Sequence, residues 1–393
     1  MGQARMTRFD VIIVGGGPAG SSCARALVHA GLIVAVTDRA AFPRDKPCAG
    51  WITPEVVAAL ELDLDDYARG HILQPIRGFD IGVLGGHRTP ATFDTVVSYA
   101  IRRCEFDAFL LHRSGARVFE RTAVARIERV RHGWRLEGVG EAPMVVGAGG
   151  HFCPVARLLN PPTRGGEGAA RASGESPAEA GPRVTVHVEE QVIVAAQELE
   201  VRLEPGESCP VSGELPELYF CRDLLGYGWC VRKGSYLNVG FGRLDQRRLP
   251  EAARAFLEDM QRLGRVPPTF PTRWVGHAYR VYAWAERRLR DDGVLLAGDA
   301  AGLAYPASGE GILPAVVSGQ LAAKAILAAA PTFTSDRLGG YDRDLARRFG
   351  APGQGSSVVR HLPPAVIQWA GRRAMGLPWF VRQVVVPRFL HAA

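Results

Sequence analysis

The sequence predicts an α/β fold. A parallel sheet wrapped by helices is interrupted by a second, α+β domain built on an antiparallel sheet, and a helical tail follows. Three observations predict it. Residues 11–39, VIIVGGGPAGSSCARALVHAGLIVAVTDR, read as strand, glycine turn, helix and strand, which is a βαβ unit. A second strand, glycine turn and helix, GVLLAGDAAGLAYPASGEGI, returns at residues 293–312. Between them, VIVAAQELEVRL (192–203) and YLNVGFGR (236–243) have the β-branched and alternating character of antiparallel strands.

A length of 393 residues suits two intertwined domains with ample core. Hydrophobic residues at 47% and charged residues at 22% place the chain in the soluble globular class. The net charge of +7 is carried by arginine, since Lys46, Lys233 and Lys324 are the only lysines. Such usage follows from compositional bias, or from a basic surface that meets acidic lipid or an anionic substrate. No zinc-finger, RNP or helix-turn-helix pattern supports a nucleic-acid partner. The seven cysteines (Cys23, Cys48, Cys104, Cys153, Cys209, Cys221 and Cys230) are odd in number and show no metal-ligand spacing, so no metal site is expected. No secretory signal precedes the first strand, so a reducing cytoplasm is the expected location. The apolar run from Ile312 to Ala330 includes Ser318, Gln320 and Lys324, which favours a buried helix over a membrane span.

In chain order, Phe9–Val14 is a strand, Gly15–Gly20 a tight turn, Ser21–Ala30 a helix ended by Gly31, and Ile33–Thr37 a strand. Phe106–Val118 reads as a helix followed by a turn at Gly115. Ala123–Gly138 alternates as a hairpin does, and Ala142–Gly150 is an apolar strand running into glycines. These elements form a nucleotide-binding domain in segments 1–80, 100–160 and 283–330. Residues 81–99 and 184–282 supply the substrate domain. Residues 161–183, rich in Gly, Ala, Pro, Ser and Glu, are expected to be a flexible linker, and residues 331–393 a helical, arginine-rich tail.

Gly15, Gly17 and Gly20 form G-x-G-x-x-G between strand and helix. The first permits the turn, the second lets the backbone approach a pyrophosphate, and the third lets the helix pack on the strand. The helix N-terminus then offers unpaired N–H groups and partial positive charge to the phosphates. Asp38 closes the second strand, where a carboxylate accepts hydrogen bonds from ribose hydroxyls. FAD and NAD share this fingerprint.

The sequence Gly298-Asp299-Ala300-Ala301-Gly302 after an apolar strand resembles the FAD-dependent oxidoreductases of the geranylgeranyl reductase and p-hydroxybenzoate hydroxylase superfamily. The resemblance implies a Rossmann-like, GR2-type FAD-binding domain with a discontinuous antiparallel-sheet substrate domain. It places Asp299 on the ribityl chain of FAD. It gives Gly311 and Ile312 of SGEGI as backbone donors at the start of a helix aimed at the flavin. RRCEFD (102–107) fits the family's R-x-x-F-D, with Arg103 reaching the pyrophosphate. VVGAGG (145–150) stands where hydroxylases carry G-A-D-G, but Gly149 replaces the aspartate, which weakens a hydroxylase-like NADPH mode. Pro18, Ala19, Arg39, Val124 and Gly309 complete the implied cofactor surroundings.

FPRDKPCAGWITP (42–54) is similar to the K-P-C-G-G segment of geranylgeranyl reductases, whose cysteine lies beside the flavin. Lys46, Pro47 and Cys48 match, with Ala49 and Gly50 for the two glycines. A partly exposed thiol next to a lysine favours the thiolate, and Cys48 is either reactive or a small packing residue. LGYGWCVRKGSYLNVGFG (225–242) resembles the family's Y-x-W-x-F-P-K strand, although Val231-Arg232 replaces Phe-Pro. Tyr227 and Trp229 alternate onto one face, either lining an apolar substrate cavity or filling the sheet core.

The expectation is a reductase that transfers a hydride from reduced FAD to a C=C bond of a lipophilic isoprenoid or secondary metabolite. A monooxygenase that hydroxylates or epoxidises an aromatic or prenylated substrate is the alternative. A halogenase fits less well for want of W-x-W-x-I-P, and a non-catalytic FAD protein less well still. No second G-x-G-x-x-G marks a domain for the electron donor, which is NAD(P)H in the substrate cleft or another reductant such as an acidic ferredoxin. The tail LPWFVRQVVVPRFLH (377–391) either packs on the domain's own surface or rests on a membrane.

Overall fold

The computed structural model describes residues 7–161, 193–204, 206, 209–280, 287–305, 308–350 and 370–390. The expected linker falls outside these apart from residue 161, as does the start of the segment at 184–192.

The chain opens with β1 (Val11–Val14), α1 (Pro18–His29) and β2 (Val34–Thr37). Next come β3 (Trp51–Ile52), α2 (Pro54–Leu60), α3 (Leu64–Ala68), β4 (Leu73–Ile76), β5 (Gly78–Val83), β6 (Arg88–Thr92) and β7 (Ser98–Ile101). Then follow α4 (Arg103–Arg113), β8 (Arg117–Phe119), β9 (Ile127–Val130), β10 (Gly133–Leu136), β11 (Gly140–Ala142), β12 (Met144–Gly147) and α5 (Pro154–Leu159). The middle of the chain supplies β13 (Ile193–Arg202), β14 (Glu217–Phe220), β15 (Gly226–Lys233), β16 (Tyr236–Arg243), α6 (Leu249–Arg262) and β17 (Val275–Arg280). β18 (Arg290–Asp291), β19 (Val294–Leu296), α7 (Ile312–Ala329), α8 (Gly340–Phe349) and a helical stretch over 378–390 complete it.

The mixed α/β class is as the sequence predicts. The first sheet runs β18-β19-β12-β1-β2-β8, parallel except where β18 meets β19. β1 (VIIV) and β2 (VAVT) are buried throughout, because helices cover both faces of a parallel sheet and leave no wet side. α1 and α7 pack closely. A Cβ on Gly319 of α7 would lie 2.2 Å from the Ala19 carbonyl oxygen, so only glycine permits this approach. α7 is long and apolar enough to cross a membrane, with mean hydropathy 1.6, yet 67% of it is buried inside the protein.

The second sheet runs β17-β13-β16-β15-β14-β5-β6, antiparallel except for the β14–β5 pair. β5 begins at Gly78, ahead of the boundary expected at residue 81. One face packs on α6, whose Phe256 ring lies so close to Gly228 that a Cβ there would sit 2.5 Å from it. The other face carries Tyr227 and Trp229, paired across β16 with Gly242 and Gly240. Small residues opposite large aromatics keep this face concave, and the indole of Trp229 lies directly over Gly240. The C-terminal helical stretch packs against the β5–β6 edge of this sheet through Val381, Val386 and Leu390.

Candidate active site

A cavity of ≈ 990 Å³ lies between the carboxyl ends of the parallel strands and the concave face of the second sheet. It sits at the upper end of the roughly 300–1,000 Å³ range of ligand pockets, and in the position open α/β sheets use for ligands. Every residue singled out from the sequence lines it except Gly20 and Gly298. Those two glycines lie behind the wall. A Cβ on Gly20 would meet the Gly15 carbonyl oxygen at 1.9 Å, and Gly298, at φ +61°, lies against Ala19.

At the nucleotide end, Gly15 has φ +114° and a Cβ there would strike the Ala148 carbonyl oxygen at 2.3 Å. Gly17 precedes α1 with no side chain capping the helix, and the nearest atom to a Cβ built on it is Arg44 Nη2 at 3.4 Å. The helix N-terminus therefore opens onto the cavity. Pro18 and Ala19 form its first turn, and Arg39, Val124 and Gly149 line the same end. Asp38 is fixed by two backbone donors: Gly16 N–H to Oδ2 at 2.8 Å and Ala40 N–H to Oδ1 at 2.9 Å. Arg103 makes a bidentate pair with buried Asp107, at 2.9 Å through both Nε and Nη2. Arg44 reaches the same carboxylate at 3.1 Å. Two guanidinium groups thus share one carboxylate and leave net positive charge where a pyrophosphate would lie.

In the middle of the cavity, Lys46 Nζ, His277 Nε2 and Asp299 Oδ2 form a triangle. The separations are 3.1 Å for Lys46–His277, 3.6 Å for Lys46–Asp299 and 3.4 Å for His277–Asp299. Burial works to raise the Asp299 carboxyl, but Lys46 foremost, then His277 and Arg103, hold it well below the usual carboxylate range. Burial and the Lys46 charge lower the His277 imidazole. Burial lowers the Lys46 ammonium despite the attraction of Asp299.

The turn before α7 is clamped from the second sheet. Tyr227 donates its hydroxyl to the Ser308 carbonyl at 2.6 Å. Tyr279 lies so close to Gly309, at φ +70°, that a Cβ would sit 1.9 Å from its hydroxyl oxygen. Gly311 caps α7 without a side-chain bond. The Glu310 carboxylate accepts the Leu313 N–H at 2.7 Å. Cys48 lies between the two halves, its Sγ accepting the Gly50 N–H at 3.4 Å, with Ala49 and Gly50 beside it.

The glycine cradle, the open helix end, the doubly held Asp38 and the buried cationic centre fit a long anionic dinucleotide, with an aromatic chamber left beyond it. Sequence reasoning missed Arg44, Glu198, His277 and Tyr279, all of which line the cavity. Alternation along GHAYR of β17 was the available signal, since His277 and Tyr279 share a face two residues apart.

Residues 8–62 match the family model described as FAD binding domain. The chain is 29% identical over 377 residues to the menaquinone reductase of Mycobacterium tuberculosis, covering 90% of this chain and 83% of that one. It is 28% identical over 347 residues to the geranylgeranyl diphosphate reductase of Rhodobacter capsulatus, covering 82% and 75%. The geranylgeranyl bacteriochlorophyll reductase-like structure from Thermoplasma acidophilum superposes with a TM-score of 0.68 at 20% identity, over 98% of this chain and 92% of that one. Flavin-dependent halogenases and a probable FAD-dependent monooxygenase share this fold at 22% identity or below. The protein is a flavoprotein oxidoreductase that uses FAD. Over most of its length it is similar to the menaquinone and geranylgeranyl diphosphate reductases, and it shares the fold of the geranylgeranyl bacteriochlorophyll reductase-like structure.

Proposed function

We propose that the protein reduces a C=C bond of a lipophilic isoprenoid or secondary-metabolite substrate. The observation that carries this reading is the chamber beyond Cys48. Its walls are Phe220, Tyr227 and Trp229, with Phe220 and Tyr227 rings 5.6 Å apart and Tyr227 and Trp229 5.8 Å apart. A continuous aromatic face selects an apolar or flat ligand and excludes water from it. The names of the menaquinone and geranylgeranyl diphosphate reductases point to the same kind of substrate.

Reduced FAD supplies the hydride when bound. Gly15, Gly17 and the start of α1 hold its pyrophosphate with Arg44 and Arg103, Asp38 takes the ribose, and Asp299 with Lys46 and His277 takes the ribityl region. The α7 turn, gripped by Tyr227 and Tyr279, positions the flavin edge. NAD(P)H or another reductant reloads the cofactor. The protein acts in the cytoplasm, and exposed Leu377 and Trp379, near Arg372 and Arg382, give it a face for peripheral contact with a lipid surface.

The test is incubation with dithionite or NADPH and unsaturated prenyl substrates, with and without oxygen. A product that gains two hydrogens anaerobically supports the reductase. A product that gains oxygen, and forms only in air, overturns it in favour of a monooxygenase.

A further inference from the structure

Glu198 of β13 lies on the cavity wall and has no role in holding the cofactor under the reading above. It stands opposite Gly240 of β16 and Val275 of β17. Because Gly240 has no side chain, the Trp229 indole fills the space beside Glu198. The residue is 9% exposed. Its Oε2 is itself buried and has no hydrogen-bond partner among the described residues. The Asn238 amide lies beside the carboxyl but donates its Nδ2 to Glu200 Oε2 at 3.4 Å. Asn238 is itself fixed, accepting the Trp229 Nε1–H at 2.7 Å.

The nearby cation is already committed. Lys233, fully buried, donates to Glu200 Oε2 at 2.7 Å, and Arg102 Nε donates to Glu200 Oε1 at 2.9 Å. Two glutamates on one face of one strand therefore meet opposite fates. Lys233 and Arg102 outweigh burial and hold Glu200 below the usual glutamate range. Burial, only partly offset by Lys233, pushes Glu198 up to about 7. Environments that separate neighbouring carboxyls in this way distinguish an acid from a structural anion.

We infer that Glu198, on the wall of the substrate chamber beside Trp229, is the proton donor in double-bond reduction. This rests on the reductase reading. One alkene carbon takes a hydride from the bound two-electron donor, and the other takes the proton from the Glu198 carboxyl. The π bond becomes two C–H bonds, Glu198 is left as carboxylate, and water returns its proton.

The experiment compares wild-type holoenzyme with Glu198→Gln, which keeps the volume and removes the acid. Infrared difference spectra across pH read the neutral carboxyl directly, and anaerobic single turnovers with a prenyl alcohol read reduction. The expected result is a carboxylic-acid band lost near pH 7 and absent in the variant. Reduction should be at least about 100-fold slower in the variant, the lower end of general-acid contributions, with unchanged flavin absorbance and prenyl-alcohol affinity. Wild-type turnover should also fall as pH rises above about 7. Burial also pushes Glu310, on the same cavity wall, up to about 7, so Glu198→Asp, whose acid limb should shift, assigns the profile if Glu198→Gln does not fold. A variant that reduces at the wild-type rate, a Glu198 carboxyl already ionised at about pH 6, or a flat wild-type profile overturns the assignment alone. Wild-type protein that reduces no alkene and instead inserts oxygen overturns the reductase reading and this inference with it.

Discussion

Gly240 gives the sharpest test of how the chamber is built. An alanine Cβ there would lie 2.1 Å from Trp229 Cζ2 and 2.3 Å from Cε2, so the indole must move. Moving it breaks the buried Trp229 Nε1–H to Asn238 bond of 2.7 Å. Overpacking costs about 1–3 kcal/mol and the lost hydrogen bond about 1 kcal/mol, so Gly240→Ala should destabilise by roughly 2–4 kcal/mol. Gly242 is the control. It lies two residues along on the same face, and its Cβ would meet nothing nearer than the Ala196 Cβ at 3.6 Å. Gly242→Ala should be neutral or stabilise by about 0.5–1 kcal/mol, since a strand glycine loses backbone entropy on folding. Thermal unfolding with tryptophan fluorescence reads both, with a Tm fall of about 4 °C or more expected for Gly240→Ala. In a Trp229→Ala background the penalty at Gly240 should vanish, because the clashing ring is gone. Equal behaviour of the two glycine variants, or a penalty that survives removal of the indole, would refute the packing argument.

Other consequences are equally direct. Asp38→Ala leaves the Gly16 and Ala40 N–H groups without their acceptor, and should weaken FAD binding by about tenfold or more in equilibrium titration. Arg103→Lys cannot reproduce the bidentate pair with Asp107 and should lower both cofactor affinity and Tm, while Arg103→Ala should do worse. Only Cys48, Cys104 and Cys209 are partly exposed. Burial pushes the Cys23 thiol up to about 12 and Cys221 up to about 11. A thiol reagent at mildly alkaline pH should therefore label no more than three cysteines until the protein is denatured. The Asp299 carboxyl is held below its unfolded value by Lys46 and His277. It contributes stability above the unfolded carboxylate pKa of about 4, and that contribution is lost as pH falls further. Asp299→Asn should remove this part of the acid unfolding slope.

The parts of the site written locally were legible in the sequence. Gly15, Gly17 and Gly20 lie within six residues, and the turn, helix start and strand contact they serve are made by the same short stretch. The alternation that puts Tyr227 and Trp229 on one face needs only strand geometry. The Lys46–His277 contact joins residues 231 apart. It depends on the register of β17 against β13, where His277 meets Ala196, and no spacing rule reaches that far. Glu198 was invisible for a related reason. Whether a glutamate on a strand is solvated, paired or buried neutral depends on the strands placed beside it, and Glu198 and Glu200 look alike in sequence.

The parallel sheet has a consequence for when the cofactor can be captured. β1 and the glycine loop are complete within the first twenty residues, but β1 lies between β2 and β12, and β12 in turn pairs with β19 at residues 294–296. Asp299 and the α7 turn come later still, and the concave sheet needs β5 paired with β14 across more than a hundred residues. On the ribosome, the glycine loop, the first part of the candidate site to emerge, therefore waits for the last described strand before a pocket exists around it. The nascent chain must keep an apolar strand and an unsheltered glycine loop soluble through most of its synthesis, so capture of FAD reports synthesis through α7 rather than of the first strand, turn and helix alone.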